Sequence, residues 1–351
     1  MAHLLLTGAS GYIGSHTAYA FLKHTPYSLV IVDDLSTGFI ENIAYLQECF
    51  PNRVEFVQSS IANLEAMRAL LQSRVFEGVI HFAASLIVGE SVQKPLLYYT
   101  NNTLNTTNLI ALCVECGIKH FIFSSTAAVY GEPDMSLIPI DEDAPLLPIN
   151  PYGASKMMSE RVLRDVAAIT EDFNYVVLRY FNVAGASMDN TPELLAQGKG
   201  LGQRSKNATH LIKVACECAC GKREGMGIFG TDYPTKDGTC VRDYIHIDDL
   251  ASAHLEALAY LQQHKQSNIF NVGYSQGYSV KEVINLVKEV SGVDFKVIQE
   301  ARREGDPIEL SAKNDKILSL TNWRAQHNDL RGIIKSAYEW EKSLRASQSR
   351  R

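Results

Sequence analysis

Thirteen residues near the start restrict the fold more than any other stretch. In "LLLTGASGYIGSH" (residues 4–16) an apolar run stops at a turn, Gly8, Gly11 and Gly14 recur at every third position, and helical spacing begins at once. Such a junction joins a strand to a helix through backbone kept clear of side chains. It also aims the first helical N–H groups at the turn, a place suited to a phosphate. A parallel strand that enters a helix directly needs further strands beside it and helices over both faces of the sheet.

The chain supplies them. "YSLVIVDDL", "VEFVQSS", "GVIHFAAS", "HFIFSSTA" and "YVVLRYFNV" are short runs, β-branched or aromatic at their cores, separated by stretches of helical periodicity. The expected fold is α/β: a Rossmann-type doubly wound parallel sheet over residues 1–183, with later segments at about 240–275 returning to it. From Gly185 the rhythm breaks into "SMDNTPELLAQGKGLGQRSKNATHL", polar and rich in glycine. It reads as a long loop entering a smaller C-terminal α/β substrate domain, residues 184–340. Residues 341–351, ending "SLRASQSRR", read as a frayed basic tail.

Composition removes several functions. A formal net charge of −6 without a Lys/Arg run argues against a nucleic-acid or anionic-membrane partner. The first apolar run is too short for a signal peptide, and no stretch reaches the ~18 apolar residues of a membrane span. A cytoplasmic location is expected. The seven cysteines, Cys113 and Cys116 and the "CECAC" group among them, lack a second ligand pair at zinc-site spacing. They read as reduced packing residues, and no metal is expected.

Asp33 closes the second strand nineteen residues after Gly14, where a carboxylate can accept from an adenosine ribose. It would repel a 2′-phosphate, and "VDDLSTG" offers no cation to attract one, so the expected cofactor is NAD and not NADP. "NPYGASKMMSE" places Tyr152 and Lys156 on one helical face after a proline suited to a helix start. A neighbouring ammonium favours ionisation of a phenol, which can then act as a base. Thr126, at the carboxyl end of the strand "HFIFSST", adds a hydroxyl able to orient the same substrate oxygen. Two separated arginines, Arg242 and Arg303, suit a diphosphate; Phe229 can stack on a base, and Asp306 can accept from a ribose.

Together with "SSTAAVYG", "RYFNVAGA", "IFGTDYPTKDGTCVRDYIH" and "RREGD", these motifs make the chain resemble the extended short-chain dehydrogenase/reductases and, more closely, the UDP-glucose 4-epimerase family, over nearly its whole length. The resemblance implies interconversion of UDP-galactose and UDP-glucose by inversion at C4 through a transient 4-keto sugar. Residues 1–183 would be the NAD-binding part and 184–340 the UDP-sugar-binding part. Tyr152, Lys156 and Thr126 would be catalytic. Contacts to NAD would come from Gly8, Gly11, Tyr12, Ile13, Gly14, Asp33, Ser60, Ile61, Phe82, Ala83, Asn101, Ser124, Tyr152, Lys156 and Tyr180. The UDP-sugar would meet Thr126, Tyr152, Asn182, His210, Leu211, Phe229, Arg242, Tyr244, Arg303 and Asp306.

Related sugar-nucleotide dehydratases carry one or two acidic residues where this chain has Ala127 and Ala128, which removes elimination of water from the expected chemistry. Ser60 stands where some members have Asp, and Leu86 where some have Lys. Both departures imply a weaker hold on NAD. Leu310 falls where the family lines the far wall of the hexose pocket. UDP-N-acetylhexosamines or UDP-pentoses are alternative substrates, and a nonenzymatic NAD-sensing regulator is the alternative of another class. The segments 98–117 and 152–169 pair across a twofold axis in the family, so a homodimer is expected.

Overall fold

The computed structural model describes residues 2–205, 208–303 and 306–348. Its large sheet holds β1 (His3–Thr7), β2 (Ser28–Asp33), β3 (Val54–Gln58), β4 (Phe76–His81), β5 (His120–Thr126) and β6 (Asn174–Tyr180). The strand β7 (Asn182–Ala184) lies outside it. After β8 (Gly225–Phe229) and β9 (Val241–His246), the chain returns with β10 (Asn268–Val272) to extend the large sheet beyond β6. The order is β3-β2-β1-β4-β5-β6-β10, every pair parallel, so strand order reverses between β1 and β4. In such sheets a dinucleotide binds beyond the carboxyl ends of the strands at that reversal.

The continuous apolar runs follow from burial on both faces. Leu4 and Leu6 pack into one core cluster with Phe21, Ile31 and Ile80, whereas Leu5 packs into the other with Val30, Val32 and Val79. Adjacent residues thus face opposite layers, as the strand's period of two requires. Helix Ile247–His264 packs against helix Tyr12–His24 on one of these layers.

A second, mixed sheet is built on β9. β11 (Gly277–Ser279) pairs with it antiparallel, while β7 and, after β12 (Lys296–Glu300), β13 (Glu309–Leu310) pair with it in parallel. β12 pairs with β8 separately.

Two expectations change. "YVVLRYFNV" reads as one strand, but β6 ends at Tyr180, and after Phe181 the chain changes sheets, setting Asn182 opposite Tyr244 on β9. The expected tail from residue 341 is also wrong at its start, because helix Leu330–Gln348 continues through it. Glu341 is fully buried and bridges Lys213 and Lys222, fixing this turn of helix to helix Leu211–Ala219 and its exit.

Candidate active site

β1 leaves the sheet through Gly8, whose φ of 76° favours glycine, and a Cβ there would stand 2.5 Å from Ala83 N. The glycine turn therefore lies directly against the exit of β4, where Phe82 N and Ala83 N donate to Thr7 O at 2.9 and 3.1 Å. Gly11 caps helix Tyr12–His24 without a side-chain hydrogen bond to the helical N–H groups. A Cβ on Gly11 would meet only Gly8 O, at 3.2 Å, and would otherwise fill open space before the helix terminus. Uncapped N–H groups facing such a cradle suit a pyrophosphate.

Asp33 ends β2, with Oδ2 accepting from Ser10 N at 3.0 Å and Oδ1 from Leu35 N at 2.8 Å. At the end of β3, Ser60 Oγ accepts from Ala62 N at 3.3 Å, and Ile61 is buried. Gly14 lies in the first turn of the helix, against Ala9, and Ile13 packs on the core. Tyr12 reaches the other way, its hydroxyl donating to Gly185 O at 2.7 Å. These residues fit NAD: a phosphate cradle, a ribose-accepting carboxylate and a shared crevice occur in one place.

The loop after β4 is fixed by Asn102, which accepts from Ser85 N at 2.8 Å and donates to Ser85 O at 2.9 Å and Ser155 Oγ at 3.1 Å. Asn102 lies in a π-helical turn, Tyr99–Leu104. That turn sets the two adjacent asparagines to different tasks: Asn102 is buried in the scaffold, while Asn101 is half-buried and donates to Ser85 Oγ at 3.0 Å. Leu86 is exposed on the same loop and offers no charge.

Helix Pro151–Ala167 starts with Asn150 capping Gly153 N at 2.9 Å. A Cβ on Gly153 would stand 2.5 Å from Ala128 O, so glycine lets the helix touch the 3₁₀ turn Ala127–Tyr130 that follows β5. Thr126 accepts from Ala128 N at 3.1 Å, and its hydroxyl faces the Tyr152 phenol closely enough to ease its ionisation. One turn on, Lys156 Nζ donates to Ser124 O at 2.8 Å and lies 4.8 Å from the Phe123 ring centre. Ser124 Oγ is hydrogen-bonded to the Tyr180 hydroxyl.

Burial raises the Tyr152 pKa, with the Thr126 hydroxyl acting against it, and burial pulls Lys156 down to about 7, with Glu160 acting against it. Spacing alone predicts the pull of an ammonium on the phenol, but here Lys156 donates to the Ser124 carbonyl and burial disfavours the charged form of both groups.

On the far side, Arg242 Nη2 pairs with Asp306 Oδ1 at 2.7 Å, and the Arg303 guanidinium lies 3.6 Å from the Phe229 ring centre. Asn182 lies opposite the buried Tyr244 in the β7–β9 register, near enough to ease ionisation of its phenol against the effect of burial. His210 precedes helix Leu211–Ala219, where Leu211 packs on the core, and its Nδ1 is 3.1 Å from Gln203 Nε2. Leu310 is opposite Arg242 in the β13–β9 register and packs in a small cluster with Ala127, Tyr130, Ile140 and Phe181. The strand pairing thus places the arginine side of the site against the turn that carries Thr126.

Comparison with known proteins agrees with this geometry. The model of the NAD dependent epimerase/dehydratase family matches residues 4–273, more than half the chain. The chain belongs to this family. It is 46% identical over 344 residues to a UDP-glucose 4-epimerase of Azospirillum brasilense, covering 98% of this chain and 93% of that protein. The solved UDP-Glc/GlcNAc 4-epimerase of Campylobacter jejuni is 51% identical, with a TM-score of 0.83 and coverage of 97% and 99%. A UDP-glucose-4-epimerase structure from Stenotrophomonas maltophila, solved with NAD and formylated UDP-arabinopyranose, is 33% identical, with a TM-score of 0.91 and coverage of 99% and 100%.

For this epimerase/dehydratase-family chain, sequence reading missed Asn102, Tyr98 and the Glu160–Arg179 pair. The Tyr98 hydroxyl donates to Ile87 O at 2.7 Å, and its ring meets Tyr152 edge-on at 6.4 Å. "YYTNN" held the signal for Tyr98 and Asn102, but spacing does not say which asparagine turns inward. His246, Asp248 and His327 bring ligand atoms within 4.8 Å of one another. His246 Nδ1 accepts from Asp248 N at 3.1 Å to cap helix Ile247–His264, so that nitrogen already has a structural task.

Proposed function

We propose that this chain interconverts UDP-galactose and UDP-glucose by inverting C4 of the hexose. The observation that carries the reading is the junction of Tyr152, Thr126 and Lys156 beside the glycine turn, with Ala127 and Ala128 where an elimination would need acids. Gly8, Gly11 and Asp33 would hold NAD through its pyrophosphate and ribose. When bound, NAD supplies the reversible two-electron acceptor that oxidation at C4 requires.

Tyr152 takes the proton of the C4 hydroxyl, Thr126 orients that oxygen, and Lys156 holds the phenolate by its charge. Arg242 and Arg303 hold the diphosphate, and Phe229 and Asp306 hold the nucleoside. Because this grip falls on the UDP, the 4-keto sugar is free to turn about its link to the diphosphate. Tyr152 then returns the proton with the opposite face of the sugar presented. A chain that only sensed NAD has no use for Tyr152, Thr126 and Lys156 in one place. Incubation with UDP-galactose and chromatography of the products tests the reading: UDP-glucose is expected, and an unchanged substrate or a dehydrated keto sugar rejects it.

Leu310 favours a second substrate class. It is smaller than an aromatic residue and adjoins the Ala127 turn, which supports partial activity on UDP-N-acetylglucosamine, the substrate type named for the Campylobacter relative. We also propose a homodimer. Leu104, Met158 and Ile169 are exposed apolar side chains on the two segments expected to pair, Leu96 and Leu97 lie exposed just before the first of them, and a second copy would cover them. Sedimentation at micromolar concentration should give twice the chain mass; a monomer rejects the dimer. Among the described residues no helix is long and apolar enough to cross a membrane. The free cysteines support a reducing, cytoplasmic setting.

A further inference from the structure

Behind the Tyr152–Lys156 pair lies a buried ion pair for which the proposed chemistry has no direct use. Glu160 and Arg179 are 5% and 2% exposed. Arg179 Nη2 donates to Glu160 Oε2 at 2.7 Å, and Nε lies 3.2 Å from both carboxylate oxygens. Ser125 Oγ donates to Glu160 Oε1, which ties the carboxylate to β5 between Ser124 and Thr126. Arg179 Nη1 is held in turn by Tyr130 Oη and Glu142 O, each at 3.0 Å, and Tyr130 donates to Asn271 Oδ1 at 2.7 Å. A buried ion pair is an unfavourable way to stabilise a core, since apolar residues do as well or better. This pair sits one helical turn from Lys156.

We propose that Glu160 is a positioning residue whose carboxylate, fixed by Arg179 and Ser125, is the counter-charge that keeps Lys156 an ammonium beside Tyr152. The inference rests on the catalytic reading of Tyr152 and Lys156 given above. The other groups around Lys156 do not take this part. From β5 it meets the Phe123 ring and the neutral Ser124 carbonyl. From β4 it feels His81, fully buried between the hydroxyls of Thr7 (2.6 Å) and Thr106 (2.8 Å) and kept neutral by burial. β6 contributes Arg179, which is engaged by Glu160, and Tyr180, which is buried, shifted upward and bonded to Ser124. On its own helix the titratable neighbours are Tyr152 and Glu160. Among the described residues, Glu160 is the charge that opposes the desolvation of Lys156.

The test compares wild type, Glu160→Gln, Glu160→Asp and the double variant Glu160→Leu/Arg179→Met. Two readouts are taken on each: kcat and KM for UDP-galactose against pH, and ultraviolet titration of the phenolate as the difference from Tyr152→Phe. Glu160→Gln should lower kcat about tenfold near neutral pH with KM within about twofold. Its alkaline fall in kcat should begin at lower pH, because Lys156 loses its proton sooner, and the Tyr152 phenolate should appear at higher pH. Glu160→Asp keeps the charge and should restore most of both profiles. If Glu160→Gln does not fold, the double variant decides, since it leaves no unpaired buried charge, and it should show the same two shifts at smaller size, because loss of the Arg179 cation partly offsets loss of the nearer carboxylate. Profiles that do not move in the charge-removing variants overturn the proposal. A shift in Glu160→Asp as large as in Glu160→Gln also overturns it, because geometry and not charge would then be responsible. If wild type does not turn over UDP-galactose, the catalytic reading fails, and the phenolate titration still decides this inference.

Discussion

On the side of the glycine turn, charged groups are fastened to the protein's own backbone: Asp33 to the N–H groups of Ser10 and Leu35, Lys156 to the Ser124 carbonyl. Across the site, charges answer one another through long side chains, Arg242 with Asp306 and Arg303 over Phe229. The first set is buried and borne on strand ends and a capped helix; the second is half-buried or exposed, on β9 and the segment before β13. A group held by backbone needs no rearrangement to meet its ligand. A group that already has a side-chain partner must exchange it, so binding there carries a reorganisation cost. The difference suits a site that keeps its chemistry fixed while nucleotide and sugar come and go.

The strongest way to break this comparison is to remove the base while leaving the fastened frame intact. Tyr152→Phe should lose at least ~100-fold in turnover, as expected for a general base, while still binding NAD and UDP. Thr126, Lys156 and Ser124 keep their hydrogen bonds to Ala128, the Ser124 carbonyl and Tyr180. Initial rates with UDP-galactose, alongside calorimetric titration with UDP, check it. Near-normal turnover would show that the fixed side does not carry the chemistry.

The exchanging side should fail in binding and not in turnover. Arg242→Met keeps the length of the side chain and removes the charge. With ~1.5–3 kcal/mol for a hydrogen bond to a charged group, the UDP dissociation constant should rise by about 10- to 150-fold, while kcat changes much less. Equal affinity for UDP in wild type and variant would mean that the Arg242–Asp306 pair is structural and never opens.

What was legible in the sequence follows the same division. The strands, the glycine turn, Asp33 and the Tyr152/Lys156 pair depend on local spacing, and local spacing is what a sequence displays. Glu160 and Arg179 meet between a helix and a strand, so their partnership depends on how layers pack, and either could as well have faced water. The change of sheets after Tyr180 was hidden because "RYFNV" stays apolar across the break. Glu341 was hidden by the basic residues after it, although its two lysine partners come from residues more than a hundred positions earlier.

Leu310 tests the seam between the two sides, since its backbone pairs with Arg242 while its side chain packs with Ala127. Only 8% of it is exposed, so a larger residue must push toward the sugar or displace Tyr130 and Phe181. Changing one wall of an apolar pocket alters discrimination by about 1–3 kcal/mol. Leu310→Tyr should therefore lower kcat/KM for UDP-N-acetylglucosamine relative to UDP-glucose by ~5- to 150-fold, and Leu310→Ala should move the ratio the other way. If both variants leave the ratio unchanged, sugar size is set by another wall.

The smallest expected effect strengthens the side that is already fixed. Ser60 ends the row formed by Gly8 after β1 and Asp33 on β2, and among the described residues its hydroxyl is engaged only by the Ala62 N–H, at a long 3.3 Å. A carboxylate in its place can take that N–H with one oxygen and present the other to the adenine amino group, a stronger acceptor than a hydroxyl. The gain is limited because Asp33 stands at the end of the neighbouring strand, and two carboxylates at adjacent strand ends repel. Ser60→Asp should slow the loss of NAD on dilution by a few-fold, followed by the cofactor absorbance retained after gel filtration. The benefit should shrink at low ionic strength, where the repulsion is least screened. Loss as fast as in wild type at every salt concentration would mean that the adenine end is held elsewhere, and that the fastened side stops at Asp33.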